Sequence, residues 1–372
     1  MASAIDPRLH KELEELRGEP IEIIDPDAIP CTEISDKSAL PENPLVSVKM
    51  ITYNHEPYIA EAIEGVLLQK TSFPIELVIG EDCSTDRTRD IVMHYQKKFP
   101  GLIRVITSER NVGATKNSLR TERACRGKYI AYCEGDDYWC DMRKLQRQAA
   151  ILEQYPNVGL VYCEGRTVNG KEEVLKERSS LRKPGLEKRG KRLPEMFHRV
   201  GILTCSVLLR REVIMNAYGT NPLFLAKLYV GDVLRWMEVL ANYDSYFIDE
   251  VMVTYHKHAS SAMRTFPLEV ARDVYFILSY FALKHHDCQL EQRKIVDALW
   301  YQRLQTIEKI PSVLVRWRAA WHLLKSSVRR DHLQHPRFYC ALLFATLGLY
   351  EEARRIRKRW HRPRGRNVSY SG

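Results

Sequence analysis

The stretch Tyr129-Ile-Ala-Tyr-Cys-Glu-Gly-Asp-Asp-Tyr-Trp139 runs from an apolar, strand-like segment straight into three acids, Glu134, Asp136 and Asp137, with Gly135 among them. Carboxylates gathered at the end of a buried strand are costly unless something positive meets them there. The usual partner is a divalent cation with a phosphate on its far side. Glu134 and Asp136 are two apart, so in an extended segment they point the same way and can share one ion. The stretch therefore predicts a chain that handles a nucleotide or another diphosphate.

Working outward, strands and helices alternate on both sides of this segment. Leu45–Tyr53 is apolar and β-branched, and Pro57 opens a helix expected to reach Lys70. Ile75–Gly80 is an apolar run broken only by Glu76, the mark of a strand buried on both faces. Ser84-Thr85-Asp86 should cap a helix to about Lys97. Leu102–Thr107, Tyr129–Cys133 and Val158–Cys163 read as strands, and Thr115–Ala124 and Met142–Gln154 as helices. This rhythm predicts an α/β fold with a mostly parallel sheet, helices on both faces and ligands beyond the carboxyl ends of the strands.

Residues 164–199 interrupt the rhythm with eleven lysines and arginines, among them Lys171, Lys176, Arg178 and Arg189. Such a run is either a solvated loop or a flap that orders over a bound phosphate or acceptor. Ile202–Leu209 and Tyr246–Tyr255 read as strands and Asp232–Asn242 as a helix. Ahead of the sheet, 1–44 looks like a peripheral extension: a polar helix over Pro7–Arg17, then a linker held extended by Pro26, Pro30, Pro41 and Pro44. Beyond Phe266 the pattern is helical, ending in the basic tail Arg354–Arg366.

Over its 372 residues the chain is 45% hydrophobic and 28% charged, as expected of a globular protein of one or two domains. A formal charge of +10 suits an anionic ligand, an anionic membrane surface or nucleic acid without choosing among them. Nine cysteines without a C-x-x-C pair read as reduced, buried thiols of a cytosolic protein. Met1-Ala-Ser-Ala-Ile-Asp-Pro7 shows no signal-peptide pattern, and the apolar run Phe338–Tyr350 is too short to span a bilayer.

Four constellations carry the chemistry. Thr52-Tyr53-Asn54 follows the first strand, where an aromatic ring can stack a base. Glu81-Asp82-Cys83-Ser84-Thr85-Asp86 follows the second. With Ser84 and Asp86 available for capping, Asp82 is expected to be free to accept from a base or ribose. The acid cluster is the third. The fourth joins Gly231-Asp232, at a helix start, to Tyr255-His-Lys-His258. In this order, and with Arg110-Asn-Val-Gly113 and Asn117, these segments resemble the inverting family 2 glycosyltransferases of GT-A fold over roughly residues 45–263.

The resemblance implies transfer of a sugar from a nucleotide diphosphosugar, a UDP-sugar first, to a glycan or lipid-linked acceptor, as in cell-envelope polysaccharide synthesis. It implies Mg²⁺ or Mn²⁺ on Asp136 and His258, with Asp232 as catalytic base. Thr52, Tyr53, Asn54, Glu81, Asp82, Asn111, Gly113, Asn117, Glu134, Gly135 and Asp137 would bind the nucleotide. The expected domains are a nucleotide half over about 45–140, an acceptor half over about 141–263, and a helical region over 264–372. The expected setting is cytoplasmic, with the basic tail resting on the inner face of the membrane or simply solvated. A nucleotidyltransferase remains an alternative, though Asn54-His-Glu-Pro57 lacks the glycines of its phosphate loop. A basic nucleic-acid-binding protein is a further one, without a recognised motif for it.

Overall fold

The computed structural model describes residues 20–179, 188–190, 201–258 and 267–284, with five single positions besides. The expected helix over 7–17 falls almost wholly outside the described residues. So do most of 180–200, Ala259-Ser260, Cys288, Cys340, the apolar run at 338–350 and the basic tail.

The sheet begins with β2 (Val46–Thr52), which is almost wholly buried. Its Val46, Val48 and Met50 join a core with α1 (Ile59–Leu67), α2 (Thr88–Lys98) and α4 (Lys144–Gln154) on one face. Strands β3 (Ile75–Glu81), β4 (Ile103–Thr107) and β5 (Tyr129–Tyr132) extend it in parallel. The opposite face packs a second core against α5 (Arg211–Thr220), α6 (Gly231–Asn242) and α7 (Pro267–Lys284). Helix α3 (Ala114–Ala124) sits tight on β3: a Cβ on Gly80 would lie 2.0 Å from Thr121 Oγ1, so only glycine permits the approach.

Three features depart from the expected pattern. First, β7 does not stop near Cys163 but runs Val158–Asn169, and β8 (Val174–Lys176) folds back on it. Half of the expected basic loop is thus a strand and a hairpin, and a further piece, β9 (Arg189–Gly190), pairs with β11 (Asp244–Lys257). Second, the strand expected over 202–209 is a short helical turn at Thr204–Ser206 followed by β10 (Leu208–Arg210). It wedges antiparallel between β5 and β7, an insertion set by long-range pairing that no local pattern records. Third, the N-terminal extension is not merely peripheral. Thr32–Ile34 forms β1, which closes the sheet edge against β4, and Ile21, Ile24 and Ile29 are buried.

β11 pairs in parallel with β7 and antiparallel with β6 (Tyr138–Trp139). The β6 pairing lays the acid loop beside the end of β11, which is how residues 136 and 258 meet. Of the described cysteines, 125, 133, 163 and 205 are buried, but Cys31 and Cys140 are exposed. No described helix is long and apolar enough to cross a membrane.

Candidate active site

A cavity of about 700 Å³ opens at the carboxyl ends of β2 and β5, on the face carrying α3 and α6. Glu134, Asp136 and Asp137 line one side of it, and Gly231, Asp232 and Arg235 the other. Asn111 and Gly113 lead into α3 at its edge. The first turns of α3 and α6 both border the cavity, and helix N-termini favour anions.

The acid loop is not extended as expected. Asp137 N–H donates to Glu134 O at 3.1 Å, closing a turn, and Gly135 packs against Thr52 where a Cβ would lie 2.8 Å from Thr52 Cβ. Gly135 is thus a packing glycine outside the cavity lining. The turn sends the three carboxyl groups to different partners. Asp136 Oδ2 accepts from His258 Nε2 at 2.9 Å, and His55 Nε2 lies 3.8 Å away. Asp137 Oδ1 accepts from His256 N at 2.9 Å. Glu134 Oε2 is buried without a hydrogen-bond partner, as is His55 Nδ1.

Electrostatics separate the three acids. Burial pushes Glu134 up to about 8; Lys49 opposes this, while Asp136 and Asp232 add to it. Burial raises Asp137 well above the usual range, with Asp136 and Glu134 reinforcing it. Burial also works against charge on Asp136, but the His258 hydrogen bond and the charges of His55 and His258 outweigh it and hold that carboxyl low. An ionised carboxylate and an orphaned carboxyl oxygen on the cavity wall, with the His258 and His55 imidazoles beside Asp136, make a donor set that could hold a divalent cation.

Asp232 stands in the first turn of α6, where Oδ2 accepts from Thr204 Oγ1 at 2.8 Å. Behind it, Arg235 Nη1 donates to Gly231 O at 2.8 Å while its Nε and Nη2 grip Glu122 of α3 at 2.7–3.0 Å. Glu122 also accepts from the Tyr132 and Tyr218 hydroxyls. Burial disfavours its charge, yet Arg235 and Lys49 prevail and hold it down to about 2. Lys49, in the middle of β2, donates to Ser118 Oγ at 2.6 Å, and burial pulls its ammonium down against Glu122.

Several expected nucleotide ligands are committed elsewhere. Asp82 is not free: its carboxylate accepts from Val112 N and Gly113 N, each at 2.9 Å, and from Arg120 at 3.4 Å. It shapes the Asn111–Gly113 loop instead of facing the cavity. Glu81 is buried, accepting from Ser84 N and Thr107 Oγ1. Asn117 is buried between Gly80 O and Arg120. Asn54, in a left-handed conformation at φ 54°, binds Thr85 N and so stitches the first two strand-end loops together. Thr52 is buried, and Tyr53 is 42% exposed beyond the cavity lining.

Lys49, Thr204, Arg235 and Tyr255 line the cavity without having been singled out as site residues. Lys49 left a signal as a charge in the middle of an otherwise apolar strand, and Tyr255 as the first residue of Tyr255-His-Lys-His258. The others are brought in by packing.

A family model described as glycosyl transferase family 2 matches residues 47–216. An uncharacterized protein of Mycobacterium tuberculosis is 36% identical over 214 residues, 58% of this chain and 59% of that protein. TuaG of Bacillus subtilis, named as a teichuronic acid biosynthesis glycosyltransferase, is 40% identical over 110 residues, 29% of this chain and 42% of that one. The matched part of this chain thus spans about three-fifths of the first relative's length and less than half of the second's. Among solved structures, Staphylococcus aureus TarS 1–349 in complex with UDP-GlcNAc superposes with a TM-score of 0.60 at 18% identity, covering 85% of this chain and 91% of that one. The mannosyltransferase PcManGT of Pyrobaculum calidifontis, in complex with GDP-Man and Mn²⁺, gives 0.52 at 14% identity, covering 92% and 94%. At such identities the likeness concerns the fold, and that fold is GT-A. Residues 47–216, just under half of the chain, thus match glycosyl transferase family 2, within a domain of GT-A fold.

Proposed function

We propose that this chain moves a sugar, with inversion, from a nucleotide diphosphosugar to the hydroxyl of a glycan or lipid-linked acceptor. One observation carries the reading: the acid cluster at the end of β5 and Asp232 at the start of α6 face one cavity. A donor bound on the acid side would present its anomeric carbon toward Asp232. The complexes of TarS with UDP-GlcNAc and of PcManGT with GDP-Man support a nucleotide-sugar donor. The naming of TuaG for teichuronic acid biosynthesis supports an envelope polysaccharide as product.

In this reading Asp232 accepts the acceptor's proton as its oxygen attacks, and Thr204 fixes the carboxylate for that transfer. General-base help of this kind contributes about 10²–10⁴-fold. Arg235, anchored on Glu122, holds the first turn of α6 in place. The N-terminal turn of α3, entered through Gly113, offers backbone N–H groups to the diphosphate. Asp136 and His258 would hold Mg²⁺ or Mn²⁺, which supplies Lewis acidity toward the departing diphosphate. Leu228, Val230 and Tyr255 line the cavity and would restrict the water that could otherwise intercept the donor. Tyr53, exposed just past β2, keeps the proposed role of stacking on the nucleobase. The transferase unit is read as 45–263, with α7 beyond it packed on α6.

The test is a panel of nucleotide sugars scored by thermal stabilisation with and without Mn²⁺, then by released product. Release of nucleoside diphosphate supports transfer, whereas release of pyrophosphate would move the chain to the nucleotidyltransferases. Asp136→Ala should abolish Mn²⁺-dependent donor binding in calorimetry. Unchanged binding would remove Asp136 as a metal holder.

A further inference from the structure

On the far side of the acid loop, three side chains from three elements converge without a role in sugar transfer. His256 comes from β11, Glu61 from α1, and Glu172 from the turn joining β7 to β8. One ligand atom from each lies within 4.8 Å of the other two. His256 is only 1% exposed, whereas both glutamates are at the surface.

The ring of His256 is held from several sides. Tyr58 and Tyr138 pack on it with centroids at 5.0 and 5.5 Å. Nδ1 lies 2.7 Å from the backbone oxygen of Asp136. A carbonyl can only accept, so Nδ1 carries the hydrogen and a neutral ring turns its Nε2 lone pair outward. That lone pair faces a Glu172 carboxylate oxygen in close contact. Two acceptors in that contact hold a proton between them, whose place a divalent ion would take as it draws them apart. An imidazole whose other nitrogen donates to a backbone carbonyl is the arrangement that fixes histidine as a metal ligand.

We propose that His256, Glu172 and Glu61 form a second divalent-metal site, separate from the one at Asp136 and His258. One nitrogen and two carboxylates suit Zn²⁺, whereas Mg²⁺ and Ca²⁺ prefer oxygen-only sets. Solvent would complete the coordination on the exposed side. Bound there, the ion ties the β7–β8 hairpin and α1 to the segment whose carbonyl belongs to Asp136. It would act as a clip that steadies the acid loop, with no part in the bond-breaking step. The proposal does not rest on sugar transfer, because neither glutamate faces the cavity.

The experiment titrates the full chain with Zn²⁺ alone, in the absence of any nucleotide, following calorimetric affinity and thermal stabilisation. Wild type is compared with Glu61→Gln, Glu172→Gln and the double variant. Both changes are at exposed carboxylates and should leave the fold intact, as circular dichroism would verify. Each single variant should weaken the site by at least about tenfold, the scale of losing even a supporting partner of a metal ligand. The double variant should lose the associated stabilisation, while Asp136→Asn keeps it. Equal Zn²⁺ affinity in wild type and the double variant would overturn the proposal. So would the absence of any Zn²⁺ stabilisation of wild type, which would leave a proton as the bridge between His256 and Glu172. Failure of sugar transfer with Zn²⁺ binding intact would count against the main reading only.

Discussion

The two ends of the parallel sheet treat buried acid in opposite ways. At the amino ends of the strands, Glu76 is fully buried and fully partnered. It accepts from Ser47 Oγ at 2.6 Å, Arg126 N and Nε at 2.8 Å, and Arg104 Nη1 at 3.0 Å. Burial alone would raise its carboxyl, but Ser47, Arg126 and Arg104 bring it below its ordinary value. At the carboxyl ends, Glu134 keeps an oxygen with no partner and is pushed up to about 8. Glu76 lies within β3, and Glu134 in the loop that leaves β5 of the same sheet. A buried carboxylate that owns a cation holds the fold together. One that lacks it sits ready for a ligand to supply the charge.

The comparison breaks if changes at the two ends have the same consequence. The largest effect is expected at the carboxyl ends, in activity. Asp232→Asn should keep donor binding and lose about 10²–10⁴-fold in turnover, read as nucleoside diphosphate release. Near-normal turnover would remove Asp232 as the base. At the amino ends the loss should appear in stability. Glu76→Leu takes from the buried Arg104 its buried carboxylate, leaving it only Glu33, and from the more exposed Arg126 its partner; it should cost about 3–5 kcal/mol in urea denaturation, while donor affinity per folded molecule stays the same.

A smaller effect concerns pH. Glu122 has its folded pKa depressed from 4.5 to about 2, so its contribution is present above pH 4.5 and drains away as pH falls toward 2. Glu122→Gln should flatten the stability profile across that window, and an unchanged slope there would dismiss the pair with Arg235 as its source. The smallest effect sharpens the contrast most. Glu134 has its folded pKa raised, so it costs stability increasingly as pH climbs from about 4.5 toward 8. Glu134→Gln should therefore stabilise the metal-free protein by about 1 kcal/mol, more at pH 8 than at pH 5, and weaken Mn²⁺-dependent donor binding. A loss of stability at both pH values would place Glu134 with Glu76 after all.

Local patterns carried a good part of this molecule. The apolar runs at 46–52, 75–81 and 129–132 became the central strands, and the acids beyond the last of them became part of the cavity wall. Asp232 at a helix start was readable from Gly231 and the amphipathic run after it. His258 could be placed beside Asp136 only through the order of its motifs, since 122 positions separate them. Asp82 was misjudged for a specific reason: its acceptors serve Val112, Gly113 and Arg120, and spacing within its own loop cannot show that.

The strand wedge β10, the edge strand β1 and the Lys49–Glu122–Arg235 layer share one property. Each depends on which distant segments lie side by side, and many pairings satisfy the same local pattern. By itself, the sequence determined the central strands β2, β3 and β5, the acids that follow β5, and therefore that an anionic or metal-bound ligand was wanted there, because periodicity and the cost of burying charge act over a few neighbouring residues. Tertiary structure alone decided which buried acids would find a cation within the protein, as Glu76 and Glu122 did, and which would keep an oxygen without a hydrogen-bond partner, as Glu134 did. That choice turns on distances of a few ångströms between residues far apart in the chain, and Coulomb energies in a buried setting are settled at that range.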